Sequence, residues 1–323
     1  MKKYVILLSG ATATGKTDLA LKCAKELDGE IINADIGSLY APLTIGTAKP
    51  DWRKPEVVHH LFDLLDIPQH FTVVQFRNRL KILIDQIWQR GHLPIIVGGS
   101  AFYIKAFFYE QHEIPDNSDL IAKLEVRIAQ GHATSFDLWE ELNAIDSVRA
   151  GQIHPHDTYR IIRALAIFHS TGHKPGEFAQ IFSPLAPFFF IVCKRERKEL
   201  YARIDARVHL MMQQGFVQEV QNLLGTEWET FLMKKKLIGY DDLLKYLRNK
   251  NQNNLTEVTC LIQQKTRNYA KRQIIFLNKL QKDIERELQT GNFIGAVHDV
   301  DLTYCDVGLY IKGLSNRILQ TLS

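Results

Sequence analysis

The stretch from Gly10 to Thr17, GATATGKT, limits what this chain can fold into more than any other. It fits the pattern G-x-x-x-x-G-K-[ST]. An apolar run, YVILLSG, leads into it and a helical pattern follows from Asp18. Such a turn requires a buried strand before it and a helix after it. Only there do backbone N–H groups converge on an anion at a helix N-terminus. The expected cradle comprises Gly10, Ala11, Thr12, Ala13, Thr14, Gly15, Lys16 and Thr17. Lys16 is suited to terminal phosphate oxygens, and the Thr17 hydroxyl to Mg2+. The pattern specifies a polyphosphate, ATP included, without singling out ATP.

Three more short apolar runs, EIINAD, LPIIVGG and FFFIVCK, read as strands buried on both faces. Helical spacing lies between them, so the fold class is α/β with a parallel sheet flanked by helices. Leu19, Leu21, Cys23, Ala24 and Leu27 predict a helix ended by Gly29. Leu80, Leu83, Ile84 and Ile87 predict another over Val74 to Trp88, stopping at RGHLP. From about Ile114 to Pro187 no buried-strand run occurs, and polar breaks such as PDNSD and STGHKPGE separate helical segments. That predicts a helical insertion, with the core's first part over 1–115, the insertion over 116–186, and core completion with C-terminal helices over 187–323. Leu200, Ile204, Val208, Met211, Phe216 and Val220 fit one long helix. The C-terminal third is expected to stay helical around a polar loop, RNKNQNN, at Arg248 to Asn254.

Composition narrows the class of function. With 323 residues and 46% apolar side chains, the chain can bury a sizeable core. A net charge of +4 is too weak alone to argue for nucleic acid. Four scattered cysteines without C-x-x-C spacing argue against a zinc site or disulfide framework. They suit a reducing cytosol. No run approaches the roughly 20 apolar residues of a membrane span, and no signal peptide is evident. The expectation is a cytoplasmic monomer.

A nucleotide kinase usually holds Mg2+ with a second carboxylate at the end of another buried strand. Asp35, closing IINAD, could be that acid, or a helix N-cap. The strand LPIIVGGS ends in Gly98, Gly99 and Ser100, with no acid. On position alone the two readings of Asp35 are comparable.

The blocks around these residues occur in one order with tight spacing: GATATGKT, NADIGSLYAPLTIGTAKP, HHLFD, FTVVQFR and LPIIVGGSAFYIKA. HPHDTYRIIRAL, LYARIDARVHLMMQQGFVQEV, IGY and TRNYAKRQ follow. Together they resemble the bacterial tRNA dimethylallyltransferases, or tRNA isopentenyltransferases, from Tyr4 to about Leu280. The resemblance implies a fold like P-loop nucleotide kinases with a helical insertion that grips the anticodon stem-loop. It implies transfer of a dimethylallyl group from dimethylallyl diphosphate to N6 of the adenine beside the tRNA anticodon. By the same resemblance, Asp35 is the acid that accepts the amine proton, Ser100 assists positioning, and Arg207 assists the leaving diphosphate, with Arg203 one turn earlier. Expected tRNA contacts are Asp35, Ile36, Gly37, Ser38, Tyr159, Arg160, Arg163, Lys271, Arg272 and Gln273, with Lys265, Arg267 and Tyr269 as further candidates. Basic side chains interleaved with aromatics suit a backbone-and-stacking surface. Taken singly, each is also what a solvated helix face would show.

The sequence departs from the family's usual pattern mainly on the RNA side. Ser38 stands where Gln is usual and Ile36 where Ser is usual. Ile275, Phe276 and Asn278 interrupt the block R-Q-x-T-W-F-R, and Ile121 takes the place of an Arg. On the diphosphate side, Ala11 replaces Pro and Ser100 replaces Thr. The alternatives are a P-loop small-molecule or nucleotide kinase, and a catalytically impaired RNA-binding member of the family. A free-adenylate isopentenyltransferase is disfavoured by the insertion and the basic C-terminal part.

Overall fold

The computed structural model describes residues 3–53, 56–178, 180–249 and 254–322. Residues 250–253 of the expected polar loop lie outside that set. The chain folds into two compact units, one of Met1–Phe108 with Ser183–Ser323, and a second of Tyr109–Phe182.

The first unit is built on a six-stranded parallel sheet. Its strands are β1 (Val5–Gly10), β2 (Gly29–Asn33), β3 (His59–His60), β4 (Leu93–Gly98), β5 (Phe188–Lys194) and β6 (Gly295–Asp301), in spatial order β3-β2-β4-β1-β5-β6. All five pairings are parallel. The four strands read from apolar runs form its centre. Their inner residues, among them Ile6, Leu8, Ile95 and Phe189, are wholly buried because helices cover both faces. The two edge strands are not expected from sequence. β3 is only two residues long. In β6, GAVHDVD is mostly half-covered and reads as alternation rather than as a buried run.

Helices α1 (Lys16–Glu26), α2 (Val73–Gln89) and α3 (Ala101–Phe108) follow β1, β3 and β4. α1 closes at Leu27, and the left-handed Asp28 turns the chain, so Gly29 opens β2 instead of ending the helix. α2 starts with a capping box between Thr72 and Gln75. Its Arg77 guanidinium donates to the Phe107 and Ser183 carbonyls at 3.0 and 2.7 Å.

The second unit consists of α4 (Ser118–Ala129), α5 (Ser135–Ile145), α6 (Ser147–Gly151) and α7 (Thr158–Thr171). They pack around Leu124, Leu138, Leu142, Ile161 and Leu165. Ile121 lies against that core.

After β5 the chain returns to the first unit as α8 (Arg197–Gln213), α9 (Phe216–Gln221), α10 (Glu227–Lys235), α11 (Tyr240–Arg248), α12 (Leu255–Leu288) and, beyond β6, α13 (Val307–Leu322). The single helix expected through Val220 is two helices. Gly215 adopts φ 99°, a left-handed turn that no α-helix continues through. The carboxylate of Glu219 on α9 then accepts the N–H groups of Thr44, Ile45 and Gly46 and the Tyr240 hydroxyl. The break thus anchors the long connection between β2 and β3.

That connection is fixed a second time by a buried ion pair between Lys49 and Asp63. Lys49 also donates to Tyr40 O at 2.8 Å, and Asp63 accepts from the Trp52 indole at 3.1 Å and from Arg53 at 2.7 Å. The sequence blocks GTAKP and HHLFD are therefore two halves of one structural lock. His60 in the second block binds Glu30, and His59 lies against Val57 O.

Candidate active site

The phosphate loop takes the expected form. Ala13 and Gly15 are left-handed, at φ 64° and 101°. The Thr14 hydroxyl donates to Ala11 O at 2.8 Å and closes the turn. Gly15 is the N-cap of α1 and supplies no capping side chain, so the first N–H groups of the helix remain available to an anion. Lys16, Thr12 and Thr17 line a cleft over this loop, and Thr17 is exposed to it. Among the described residues no group of three His, Cys, Asp or Glu side chains could hold a metal. Mg2+ on a diphosphate keeps several waters and uses one or two protein oxygens. The exposed Thr17 hydroxyl fits that role.

Three side chains distant in sequence brace the loop from outside. Arg195 Nε donates to Thr14 O at 2.9 Å while its guanidinium pairs with Glu199. Arg203 Nε donates to Ala13 O at 2.9 Å. Thr12 N–H donates to Gln273 Oε1 at 2.9 Å. Sequence reading does not single out Arg195, because KRERK looks like an ordinary charge run. Arg207 lies one turn beyond Arg203 on α8 and lines the cleft. Burial and Arg203 push its guanidinium below the usual range, while Asp18 and Asp35 oppose them. Burial likewise lowers the Lys16 ammonium, and Asp35 pulls it back up.

Asp35 faces this cationic wall from the end of β2. The Asn33 side chain holds the bend, accepting from Asp35 N–H at 2.9 Å and donating to Leu61 O at 2.8 Å. Asp35 Oδ1 accepts the Gly37 N–H at 3.1 Å, opening the 3-10 turn Gly37–Leu39. The N-cap of that turn is Ile36 and not Asp35, whose Oδ1 closes a local turn onto Gly37 while Oδ2 makes no hydrogen bond among the described residues. Ser100 Oγ accepts the Ile36 N–H at 3.0 Å, tying the Asp35 loop to the end of β4. Ser38 is buried, yet it also borders the cleft. Ala48, Pro50, Phe62 and Val97 give the cleft an apolar side.

The candidate RNA contacts divide. In the second unit Tyr159 is 74% exposed, Arg160 pairs with Asp157 at 2.6 Å, and Arg163 reaches Asn117 Oδ1 at 3.4 Å. On α12, Lys271 and Arg272 are exposed, with Arg272 over the Tyr269 ring. Lys265 instead pairs with Asp242 and Asp241, and Arg267 pairs with Asp205. Gln273, expected on the RNA surface, is only 3% exposed, since both ends of its amide are bound inside the unit. Helical phase turns it about 100° from Arg272 and about 200° from Lys271, onto the buried side of α12.

A family model described as IPP transferase matches residues 38–280. A tRNA dimethylallyltransferase of Alkaliphilus oremlandii is 35% identical over 87% of this chain and 90% of its own length. The tRNA dimethylallyltransferase 1 of Citrifermentans bemidjiense is 38% identical over 90% of this chain and 94% of its own. Among solved structures, a full-length tRNA isopentenylpyrophosphate transferase from Bacillus halodurans superposes with TM-score 0.64 and 29% identity, covering 99% of this chain and 97% of that one. A eukaryotic dimethylallyltransferase acting on tRNA gives TM-score 0.75 at 26% identity, covering 98% of this chain and 78% of that one. With three quarters of its length inside the family model and relatives matched almost end to end, the chain belongs to the tRNA dimethylallyltransferase (IPP transferase) family.

Proposed function

We propose that this protein transfers a dimethylallyl group from dimethylallyl diphosphate to N6 of the adenine on the 3′ side of the tRNA anticodon, releasing diphosphate. One observation carries the reading. A phosphate loop, an apolar wall and one carboxylate share a single cleft. A phosphate loop alone fits a kinase equally well, but the apolar wall suits a five-carbon hydrocarbon attached to the diphosphate.

The amine nitrogen forms a bond to C1 of the dimethylallyl group as the C1–O bond breaks. The electron pair of the broken bond leaves on the diphosphate. The N–H groups of Ala13, Gly15, Lys16 and Thr17, with the Lys16 and Arg207 side chains, stabilise that growing charge. The Thr17 hydroxyl would hold a Mg2+ ion, which when bound would supply Lewis-acid stabilisation of the leaving oxygens. An exocyclic adenine amine is a weak nucleophile because its lone pair is delocalised into the ring. Asp35 Oδ2 accepts one of its N–H hydrogens, orients the lone pair toward C1, and takes the proton. Ser100 keeps the Asp35 loop in place. The target base must leave its stack, at a cost of about a few kcal/mol, less in a single-stranded loop. Contacts from Tyr159, Arg160, Arg163, Lys271 and Arg272 to the anticodon stem-loop offset that cost. The setting is the cytoplasm, and the enzyme acts as a monomer.

The test incubates the protein with Mg2+, dimethylallyl diphosphate and an unmodified anticodon stem-loop, with ATP and AMP as controls. Mass gain of one dimethylallyl group on the RNA alone is expected. Phosphoryl transfer from ATP, or prenylation of AMP, overturns the proposal.

A further inference from the structure

Two turns border the floor of the cleft: the phosphate loop after β1, and Gly98 to Ser100 after β4. The sheet holds their bases together. Ser9 lies opposite Gly98 in register, and its hydroxyl donates to Gly98 O at 2.9 Å. Past that point the β1–β4 ladder ends, and the turns separate.

A side chain from α12 spans them. Gln273 Oε1 accepts the Thr12 N–H at 2.9 Å, and its Nε2 donates to Gly99 O at 2.7 Å. Both ends of a buried amide are therefore used, one on each turn. A Cβ added at Gly99 would come within 2.7 Å of Gln273 Nε2, so a larger residue there would push the amide off its present position. The linkage runs on through the next residue, because Ser100 Oγ holds the Ile36 N–H beside Asp35.

We propose that Gln273 is a positioning residue whose amide sets the spacing between the phosphate loop, where the diphosphate departs, and the Asp35 loop, where the amine loses its proton. The inference rests on the alkyl-transfer reading above. The reason is geometric. The nucleophile and leaving group must approach in line, and a misplacement of about 1 Å can cost about 100-fold in rate. The Thr12 N–H is bound to Gln273 and the Thr14 N–H to Ala11 O at 3.3 Å, so the amide fixes the loop while the N–H groups of Ala13, Gly15, Lys16 and Thr17 stay available to a diphosphate. Asp35 makes no direct contact with Gln273 and is reached through Gly99 and Ser100.

The experiment is a double-variant cycle on the full chain with stem-loop RNA, Mg2+ and dimethylallyl diphosphate. Gln273→Met fills the same space without the amide. It is expected to lower kcat about 10- to 100-fold. KM for RNA and the affinity for Mg2+-pyrophosphate should stay within about threefold of wild type. In an Asp35→Asn background the same change should cost less than about threefold, because the acid it positions is already gone. Gln273→Asn keeps an amide one methylene too short for both turns, and it replaces the Met variant in the cycle if that variant unfolds. Wild-type kcat in the single variant, or an equal loss in both backgrounds, overturns the inference while leaving the function intact. Wild-type protein that binds pyrophosphate yet alkylates no RNA overturns both.

Discussion

The phosphate loop and the outer face of α12 are both rich in cations, and they use them in opposite ways. At the loop, Arg195 and Arg203 are fixed on backbone carbonyls and Arg207 looks into the cleft, so charge is preorganised around a site where negative charge must develop. On α12, Lys265 and Arg267 are matched by Asp242 and Asp205, while Lys271 and Arg272 stand in solvent. The first arrangement is rigid and built for one reacting centre. The second resembles a surface that meets an extended polyanion through a few replaceable contacts. The difference teaches that charge composition alone does not locate a binding face. What each cation already touches does.

The sharpest way to break this contrast lies at Asp35. Asp35→Asn preserves the Gly37 turn through its side-chain carbonyl but removes the proton acceptor. Turnover should fall by about 10²- to 10⁴-fold, while Mg2+-pyrophosphate binding stays near wild type. Titration of pyrophosphate alongside single-turnover kinetics measures both. Retained turnover would remove Asp35 from the chemistry and leave it the local turn onto Gly37.

Lys16→Met tests the other side of the same cleft, with an expected loss of about 10²- to 10³-fold in kcat. It should also stabilise the free protein. Burial lowers the Lys16 pKa below its ordinary 10.5. Between that lowered value and 10.5, the unfolded chain holds more proton than the native one, so wild-type stability rises with pH across the window. Below the window the full cost of burying the ammonium is present. The Met variant lacks that term, so thermal unfolding should show a higher Tm at neutral pH and a flatter pH dependence. A lower Tm would mean that the cation holds the empty cradle together.

Much of this architecture was legible in the sequence, and the exceptions have physical causes. Central strands announce themselves because both faces are buried, as YVILLSG and FFFIVCK show. The edges β3 and β6 are half-solvated, so His59–His60 and GAVHDVD carry no such mark. The break at Gly215 leaves only a faint mark in the apolar spacing, a five-residue step from Met211 to Phe216 that turns the stripe by about 140°. At the site, a local motif carries the geometry of the phosphate loop, and strand ends carry the placement of Asp35 and Ser100 beside it. Residues brought in from afar carry no such mark: Arg195 sits in the charge run KRERK, and the burial of Gln273 is not visible in the block RQ. Their partners lie 181 and 261 residues away, a separation that no local pattern encodes.

The lock between Lys49 and Asp63 predicts a stability effect without direct chemistry. Lys49 is 2% exposed, so Asp63→Ala leaves a buried ammonium without its carboxylate. Loss of one member of such a pair costs about 3–5 kcal/mol. Urea unfolding should show that loss, with kcat changed far less than in Lys16→Met at a temperature where the variant is folded. A variant within about 0.5 kcal/mol of wild type would show that the connection between β2 and β3 is held by Glu219 alone.

The smallest effects should come from α12, where the contrast between its paired and unpaired cations can be tested directly. Lys271→Ala removes an exposed cation that touches no carboxylate among the described residues. If the stem-loop backbone lies there, KM for RNA rises by a few-fold, and the slope of log affinity against log salt falls by about 0.7 to 0.9, the contribution of one phosphate contact. Lys265→Ala removes a cation already matched by Asp242 and Asp241. It should leave the salt slope unmoved and lower stability instead, because the nearly buried Asp242 loses its partner, while Asp241 keeps Lys245 at 3.2 Å. The pair is informative because both are lysine-to-alanine changes on one helix, less than two full turns apart. Equal salt slopes for the two variants would mean that the RNA competes for Lys265 against its own carboxylates. The distinction between fixed and available charge would then fail on this face.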